Sequence, residues 1–116
     1  MACEIRTTDK FEKQAKRLIR KYPSLKNELF KLGESLTENP IQGTSLGSNF
    51  YKIRLAVKSK GKGKSGGARL ITFLIFNKPD PNKVDYVYLS IIYDKSELES
   101  ISIKELENII STLHIL

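Results

Sequence analysis

The chain has 116 residues, of which 40% are hydrophobic and 28% are charged, proportions typical of a single soluble domain spanning residues 1–116. Its single cysteine cannot form an intrachain disulfide, and its single histidine argues against a His–Cys metal site and a Ser-His-Asp triad. The first residues lack the apolar core of a signal peptide, so we expect a cytoplasmic protein.

The chain begins with a predicted amphipathic helix. Apolar residues recur at helical spacing over residues 9–22, with Asp9 as the predicted cap and Pro23 ending the run. The opposite face of this helix is basic and carries Lys13, Lys16, Arg17, Arg20 and Lys21.

A second helix is predicted over residues 25–36, where leucines form one stripe and Pro23 occupies the first turn. Because the connection between them is short, the two helices should form an antiparallel hairpin. The turn-rich segment 37–49 then marks a change from helical to strand-like periodicity.

From Phe50 the hydrophobic period becomes two. Apolar side chains at residues 51, 53, 55 and 57 point one way, whereas Lys52 and Arg54 point the other way. Residues 59–67 form a predicted Gly-, Lys- and Ser-rich loop. Two more strands follow, over residues 68–76 and 83–93.

The chain ends with a predicted helix, introduced by a capping box of Ser102 and Glu105. The predicted fold class is therefore α+β, in the order ααβββα. We expect the N-terminal helical hairpin to pack on one face of a small antiparallel β-sheet, leaving part of the other face open.

The net charge of +7 resides in one stretch, residues 52–69, which has seven basic side chains and no acidic one. Elsewhere thirteen Lys and Arg balance thirteen Asp and Glu. This concentration favours a polyanionic partner, most often nucleic acid, over a merely solvated loop. The GKGKS segment at 61–65 does not fit a nucleotide-binding P-loop, because Lys58 stands where that motif needs glycine and a strand follows it.

Three cations should meet on the open face of the sheet. Lys52 and Arg54 project from one strand, and antiparallel pairing would place Arg69 beside them. Such a cluster suggests an anion site, although long side chains covering exposed sheet are the alternative. Clustered charge should also lower the pKa values of Lys and Tyr side chains, which favours acid–base chemistry.

The end of the last strand offers two further candidates, Tyr93 and Lys95, which otherwise would belong to a core edge and a solvated surface. Glu97 and Glu99 have no evident third ligand, so we expect no metal and no cofactor.

Four runs of this sequence resemble the RelE/HigB branch of bacterial toxin–antitoxin toxins, within the RelE/ParE superfamily. They are FEKQAKRLIRKYPSLKNEL, YKIRLA, GKGKSGGARLITF and IIYDKSELESISIKEL, so the resemblance extends over nearly the whole chain, from residue 11 to residue 106. The resemblance implies the family's small antiparallel sheet with an N-terminal helical hairpin. It also implies a ribosome-dependent mRNA endoribonuclease (mRNA interferase) that inhibits translation by metal-free cleavage in the ribosomal A site, and a cognate antitoxin as partner.

The resemblance places the expected functional residues on this chain. Lys52, Arg54 and Arg69 match the basic strand positions of the family, and Tyr93 and Lys95 match the polar pair that ends the last strand. The loop lysines Lys58, Lys60, Lys62 and Lys64 are expected to anchor the protein to RNA. The histidines of some HigB toxins have no counterpart here in the corresponding region.

Two alternatives stay open at this point. The related ParE branch shares the fold and blocks DNA gyrase without chemistry, so fold alone does not fix the activity. A catalytically inactive RNA-binding module of the same fold is the second alternative. Converging cations on the strand face favour the endoribonuclease.

Overall fold

The computed structural model describes residues 3–61, 63, 66–98 and 100–113. Within them the fold is α+β, with three α-helices and a five-stranded mixed sheet. The elements in chain order are β1 (Glu4–Thr7), α1 (Asp9–Lys21), α2 (Leu25–Glu38), β2 (Thr44–Gly47), β3 (Phe50–Leu55), β4 (Ala68–Phe76), β5 (Val84–Asp94) and α3 (Ile103–Ser111).

The sheet is larger than the sequence predicts. Its strand order is β1-β5-β4-β3-β2, and β1 runs parallel to β5 whereas the other pairs are antiparallel. The predicted order ααβββα and a purely antiparallel sheet are therefore wrong in detail. The two missed strands, β1 and β2, have four residues each and form the two edges, where tertiary pairing decides the conformation.

The predicted helices form, but the cap of α1 and the position of Pro23 relative to α2 differ from the prediction. Thr8, not Asp9, caps α1, because its hydroxyl oxygen accepts a hydrogen bond from the Phe11 N–H (2.9 Å). Pro23 lies before α2 and not in its first turn, since Ser24 is the residue that precedes the helix. Among the described residues, no helix combines the length and apolar character needed to cross a membrane.

The main core lies between the sheet and the helical hairpin, on what we call the hairpin side of the sheet. Leu18 of α1 and Leu25 and Leu36 of α2 are buried there against strand residues that include Leu70 and Ile92. The predicted inward set of β3 is confirmed, because Ile53, Leu55 and Val57 belong to this core.

A second, smaller core lies on the opposite face, which we call the α3 side. Leu106 of α3 is fully buried there among Phe50, Ile71, Ile91 and Tyr93. Ser102 caps α3 as predicted, since its hydroxyl oxygen accepts from the Glu105 N–H (3.2 Å). The expectation of an open face holds only in part, because the apolar stripe of α3 needs a partner and finds it on these strands.

Candidate functional site

The strand register brings three of the predicted residues into one row across the sheet. Arg54 of β3 pairs with Arg69 of β4, and Arg69 pairs with Tyr93 of β5. We call Arg54, Arg69 and Tyr93 the Arg–Arg–Tyr row. Lys52, two residues before Arg54 on β3, pairs with Ile71 of β4. Its side chain therefore projects from the same α3 side as Arg54. The predicted grouping of Lys52, Arg54 and Arg69 on one face is thus what the register produces.

The members of this group differ sharply in exposure. Arg54 is exposed and Lys52 is half-buried. Arg69, in contrast, is only 4% exposed, and its guanidinium donates a hydrogen bond to the Ala68 carbonyl oxygen (3.2 Å). The expectation that Arg69 projects freely from an open face is therefore wrong for this conformation.

Tyr93 is buried in the α3-side core, with 4% of its surface exposed. Its hydroxyl has no hydrogen-bond partner among the described residues. Burial raises the pKa of the phenol, and the neighbouring Arg69 charge offsets only part of that rise. The expectation that positive charge would lower the pKa of this tyrosine is wrong, since loss of solvation outweighs attraction to the cation. Tyr93 is therefore a neutral phenol that can donate a proton.

Lys95 follows β5 at the same end of the sheet as the Arg–Arg–Tyr row. It is half-buried, and its backbone N–H donates to the Gly67 carbonyl oxygen (3.1 Å). Gly67 admits no side chain, because a Cβ there would collide with the Leu55 carbonyl oxygen. The Gly67–Leu55 approach and the Lys95–Gly67 hydrogen bond hold Gly67 against the ends of β3 and β5.

Asp94, between Tyr93 and Lys95, is the centre of a buried polar network on the hairpin side. Its carboxylate accepts hydrogen bonds from Lys60, from the Tyr22 hydroxyl (2.8 Å) and from the Ser96 N–H (2.9 Å) and hydroxyl (2.8 Å). Lys60 also donates to the Gly67 carbonyl oxygen (3.3 Å). The network therefore joins α1, the lysine-rich loop and the end of β5.

Burial alone would raise the pKa of Asp94, which is 1% exposed. The hydrogen bonds from Lys60, Ser96 and Tyr22 outweigh that effect and hold its pKa well below the ordinary range. Asp94 is therefore ionised at neutral pH and is the counterion of Lys60, whose side chain is 11% exposed.

The four loop lysines do not form one set. Lys58 is exposed, within a short 3₁₀ turn at Lys58–Lys60. Lys60 turns inward to Asp94, so its charge is already neutralised within the protein. Lys62 and Lys64 lie outside the described residues. Of the two loop lysines that the structure describes, Lys58 is therefore the one that is available to a phosphate.

Glu97, which follows β5, is engaged by two cations of α1. Glu97 forms ion pairs with Arg17 (2.8 Å) and Lys21 (3.7 Å) of α1, which lower its pKa. Glu99 lies outside the described residues. No group of three potential metal ligands occurs in the part of the chain that the structure describes.

The sequence contains a signal for the Asp94–Lys60 pair, although the pair belongs to no sequence motif. Alternation along β5 places Asp94 on the same side as the buried Ile92. An acid predicted on a buried face requires a cationic partner, and the nearest surplus of cations is residues 52–69. Tyr22 gives no comparable signal, because only tertiary packing brings it to Asp94.

Comparison with known proteins does not identify the family of this chain. A scan against models of protein families gave no match, and a search of curated proteins found no significant similarity.

Proposed function

We propose that this protein is the toxin of a toxin–antitoxin module and acts as a ribosome-dependent mRNA endoribonuclease. The observation that carries the proposal is the Arg–Arg–Tyr row, with Lys52 on the same side of the sheet. Cleavage of RNA by its own 2′-oxygen builds negative charge on the phosphate, and preorganised guanidinium groups stabilise that charge strongly.

The proposed chemistry proceeds without a metal or cofactor. The 2′-oxygen of one nucleotide attacks the adjacent 3′-phosphate, and the bond to the 5′-oxygen of the next nucleotide breaks, which leaves a 2′,3′-cyclic phosphate. Arg54 and Arg69 hold the phosphate, while Lys52 accepts the proton from the 2′-hydroxyl. Tyr93 or Lys95 donates a proton to the leaving 5′-oxygen, and the raised pKa of Tyr93 favours this role over that of a base.

Access to the row requires a conformational step. Arg54 is exposed, but Tyr93 is packed against the same core as Leu106 of α3, and Arg69 is also buried. In the proposed mechanism α3 moves away when the protein binds the message in the ribosomal A site. An acidic antitoxin segment would silence the toxin by covering Lys52, Arg54 and Arg69, or by displacing α3 and occupying its place so that the row stays closed.

The burial of Tyr93 and Arg69 also favours a second candidate function. A gyrase inhibitor of the ParE type, or an RNA-binding module without activity, needs no access to these two side chains. The three candidates predict different outcomes for the message, for DNA supercoiling and for ribosome binding.

Primer extension on mRNA in a translating extract, with and without the protein, tests the proposal. We expect new stops within codons of translated messages and none when translation is blocked. Intact messages together with a defect in DNA supercoiling would contradict the endoribonuclease and support the gyrase inhibitor. Intact messages with retained ribosome binding would support the inactive RNA-binding module.

The loop lysines give a separate prediction about ribosome binding. Lys58→Gln should flatten the slope of log affinity against log salt concentration by about 0.7 to 0.9, because one phosphate contact is lost. Lys60→Gln should leave this slope unchanged and lower the free energy of unfolding, because Lys60 neutralises the buried Asp94.

Titration of ribosomes with each variant at several salt concentrations measures the slope, and urea unfolding measures stability. Lys78→Gln, an exposed lysine in the β4–β5 turn, is the control for a change of charge alone. An unchanged slope for Lys58→Gln would exclude a contact between Lys58 and ribosomal RNA.

A further inference from the structure

A groove of about 1020 Å³ lies between α1 and α2, on the hairpin side of the molecule. Apolar side chains from both helices form its floor, with Phe11, Ala15 and Ile19 from α1 and Leu29 from α2, and Phe30 of α2 lies at its border. Phe30 is 66% exposed, the most exposed of the large hydrophobic residues in the described part of the chain. An exposed aromatic ring at the border of an apolar groove is a typical feature of an interaction surface.

The rim of this groove is basic. Lys13, Lys16 and Arg20 of α1 line one side, Lys26 of α2 lines the other, and Glu12 also contributes. Within the described residues none of these four cations forms an ion pair. The other two cations in the second half of α1, Arg17 and Lys21, by contrast share Glu97 as an ion-pair partner. Three α1 cations without an ion pair among the described residues, Lys13, Lys16 and Arg20, thus lie along the groove.

This combination identifies one class of occupant. An apolar floor selects a ligand with an apolar stripe, and the basic rim selects acidic residues on both sides of that stripe. From Phe11 to Arg20 the groove runs along nine helical steps, about 14 Å, which accommodates two to three turns of a bound helix. We propose that the groove binds an amphipathic helix with acidic flanks, supplied by a partner protein.

Two other occupants fit the groove less well. A second copy of this chain would bring the same basic rim against itself, and like charges would repel. A nucleic acid would satisfy the cations but would leave the apolar floor and Phe30 without complementary surface. The proposed site lies on the opposite side of the sheet from the Arg–Arg–Tyr row. The groove proposal goes beyond the proposed function, so peptide binding at the groove and RNA cleavage at the row can each fail while the other holds.

The test uses two synthetic helical peptides with the same leucine stripe, one flanked by glutamates and the other by lysines. Fluorescence anisotropy measures binding to the intact protein, and ¹⁵N chemical-shift changes locate the bound peptide. We expect the acidic peptide to bind in a salt-dependent manner and to shift residues of α1 and α2. The lysine peptide should bind at least tenfold more weakly.

Three variants make the assignment specific. Phe30→Ala should weaken binding of the acidic peptide about tenfold or more, because an aromatic anchor is lost. The double variant Lys16→Glu with Arg20→Glu should weaken it by a similar factor. Lys31→Glu is the matched control, since it reverses an exposed charge of α2 outside the groove and should change affinity less than twofold.

Circular dichroism should show that all three variants are folded, because every substituted side chain is exposed. Equal binding of both peptides, or no binding, would overturn the proposal. Binding of an RNA oligonucleotide that depends on Lys16 and Arg20, without peptide binding, would assign the surface to nucleic acid instead. Self-association that Phe30→Ala abolishes would assign it to a second copy of the chain.

Discussion

Replacing Arg69 by alanine is expected to lower the rate of mRNA cleavage on the ribosome by about 100-fold or more. Arg69 occupies the middle of the Arg–Arg–Tyr row, where a guanidinium can stabilise the charge that develops on the phosphate. Arg69→Lys should recover only part of the rate, because lysine keeps the charge but loses the bidentate geometry. Single-turnover cleavage on programmed ribosomes measures the effect.

The burial of Arg69 requires a control for stability. Urea unfolding of each variant gives the folded fraction, and rates are compared under conditions in which all variants are folded. Arg6→Ala is the matched control, because Arg6 is an exposed arginine on the edge strand β1, far from the row in register. A folded Arg69→Ala protein that cleaves at nearly the wild-type rate would remove Arg69 from the site.

Asp94→Asn is expected to lower the free energy of unfolding by about 3 to 5 kcal/mol. Asparagine keeps the shape of aspartate but removes its charge, so Lys60 is left buried without a counterion. Asp85→Asn on the same strand is the matched control, because Asp85 is only partly buried and its described partner is the neutral amide of Asn77. We expect this control to change stability by less than about 1 kcal/mol.

The effect of Asp94 should depend on pH in one direction. Its pKa in the folded protein is below the ordinary value of about 3.9, so its stabilising contribution is complete above that value and is lost as the pH falls toward the folded pKa. The difference in unfolding free energy between wild type and Asp94→Asn should therefore shrink as the pH falls below about 4. A difference that stays constant from pH 7 to pH 3 would show that the charge of Asp94 is not what stabilises the fold.

Strand periodicity was enough to predict that Lys52, Arg54 and Arg69 lie on one face of the sheet. A period of two sets the faces of β3, and antiparallel pairing of neighbouring strands brings Arg54 beside Arg69. The short edge strands β1 and β2 gave no such signal, because four residues are too few to establish a period. Their conformation depends on the longer strands that they join.

Two other features could not be predicted, for a different reason. They are the packing of α3 over Tyr93 and the inward orientation of Lys60. The stripe of α3 shows that the helix is amphipathic, but it does not show which face of the sheet Leu106 will contact. Likewise, Lys60 is indistinguishable in sequence from the lysines around it. Only the folded chain brings Lys60 to Asp94, and this pairing turns a predicted RNA contact into an internal ion pair.

The most direct test of the proposed function is cleavage of a message with one modified nucleotide. Primer extension first locates the cleaved bond, and a 2′-O-methyl group is then placed on the nucleotide whose 2′-oxygen should attack. We expect programmed ribosomes with this protein to cut the unmodified message, leaving a 2′,3′-cyclic phosphate, and to leave the methylated message intact. Equal cleavage of both messages, or cleavage of neither by ribosome-bound protein, would contradict the account.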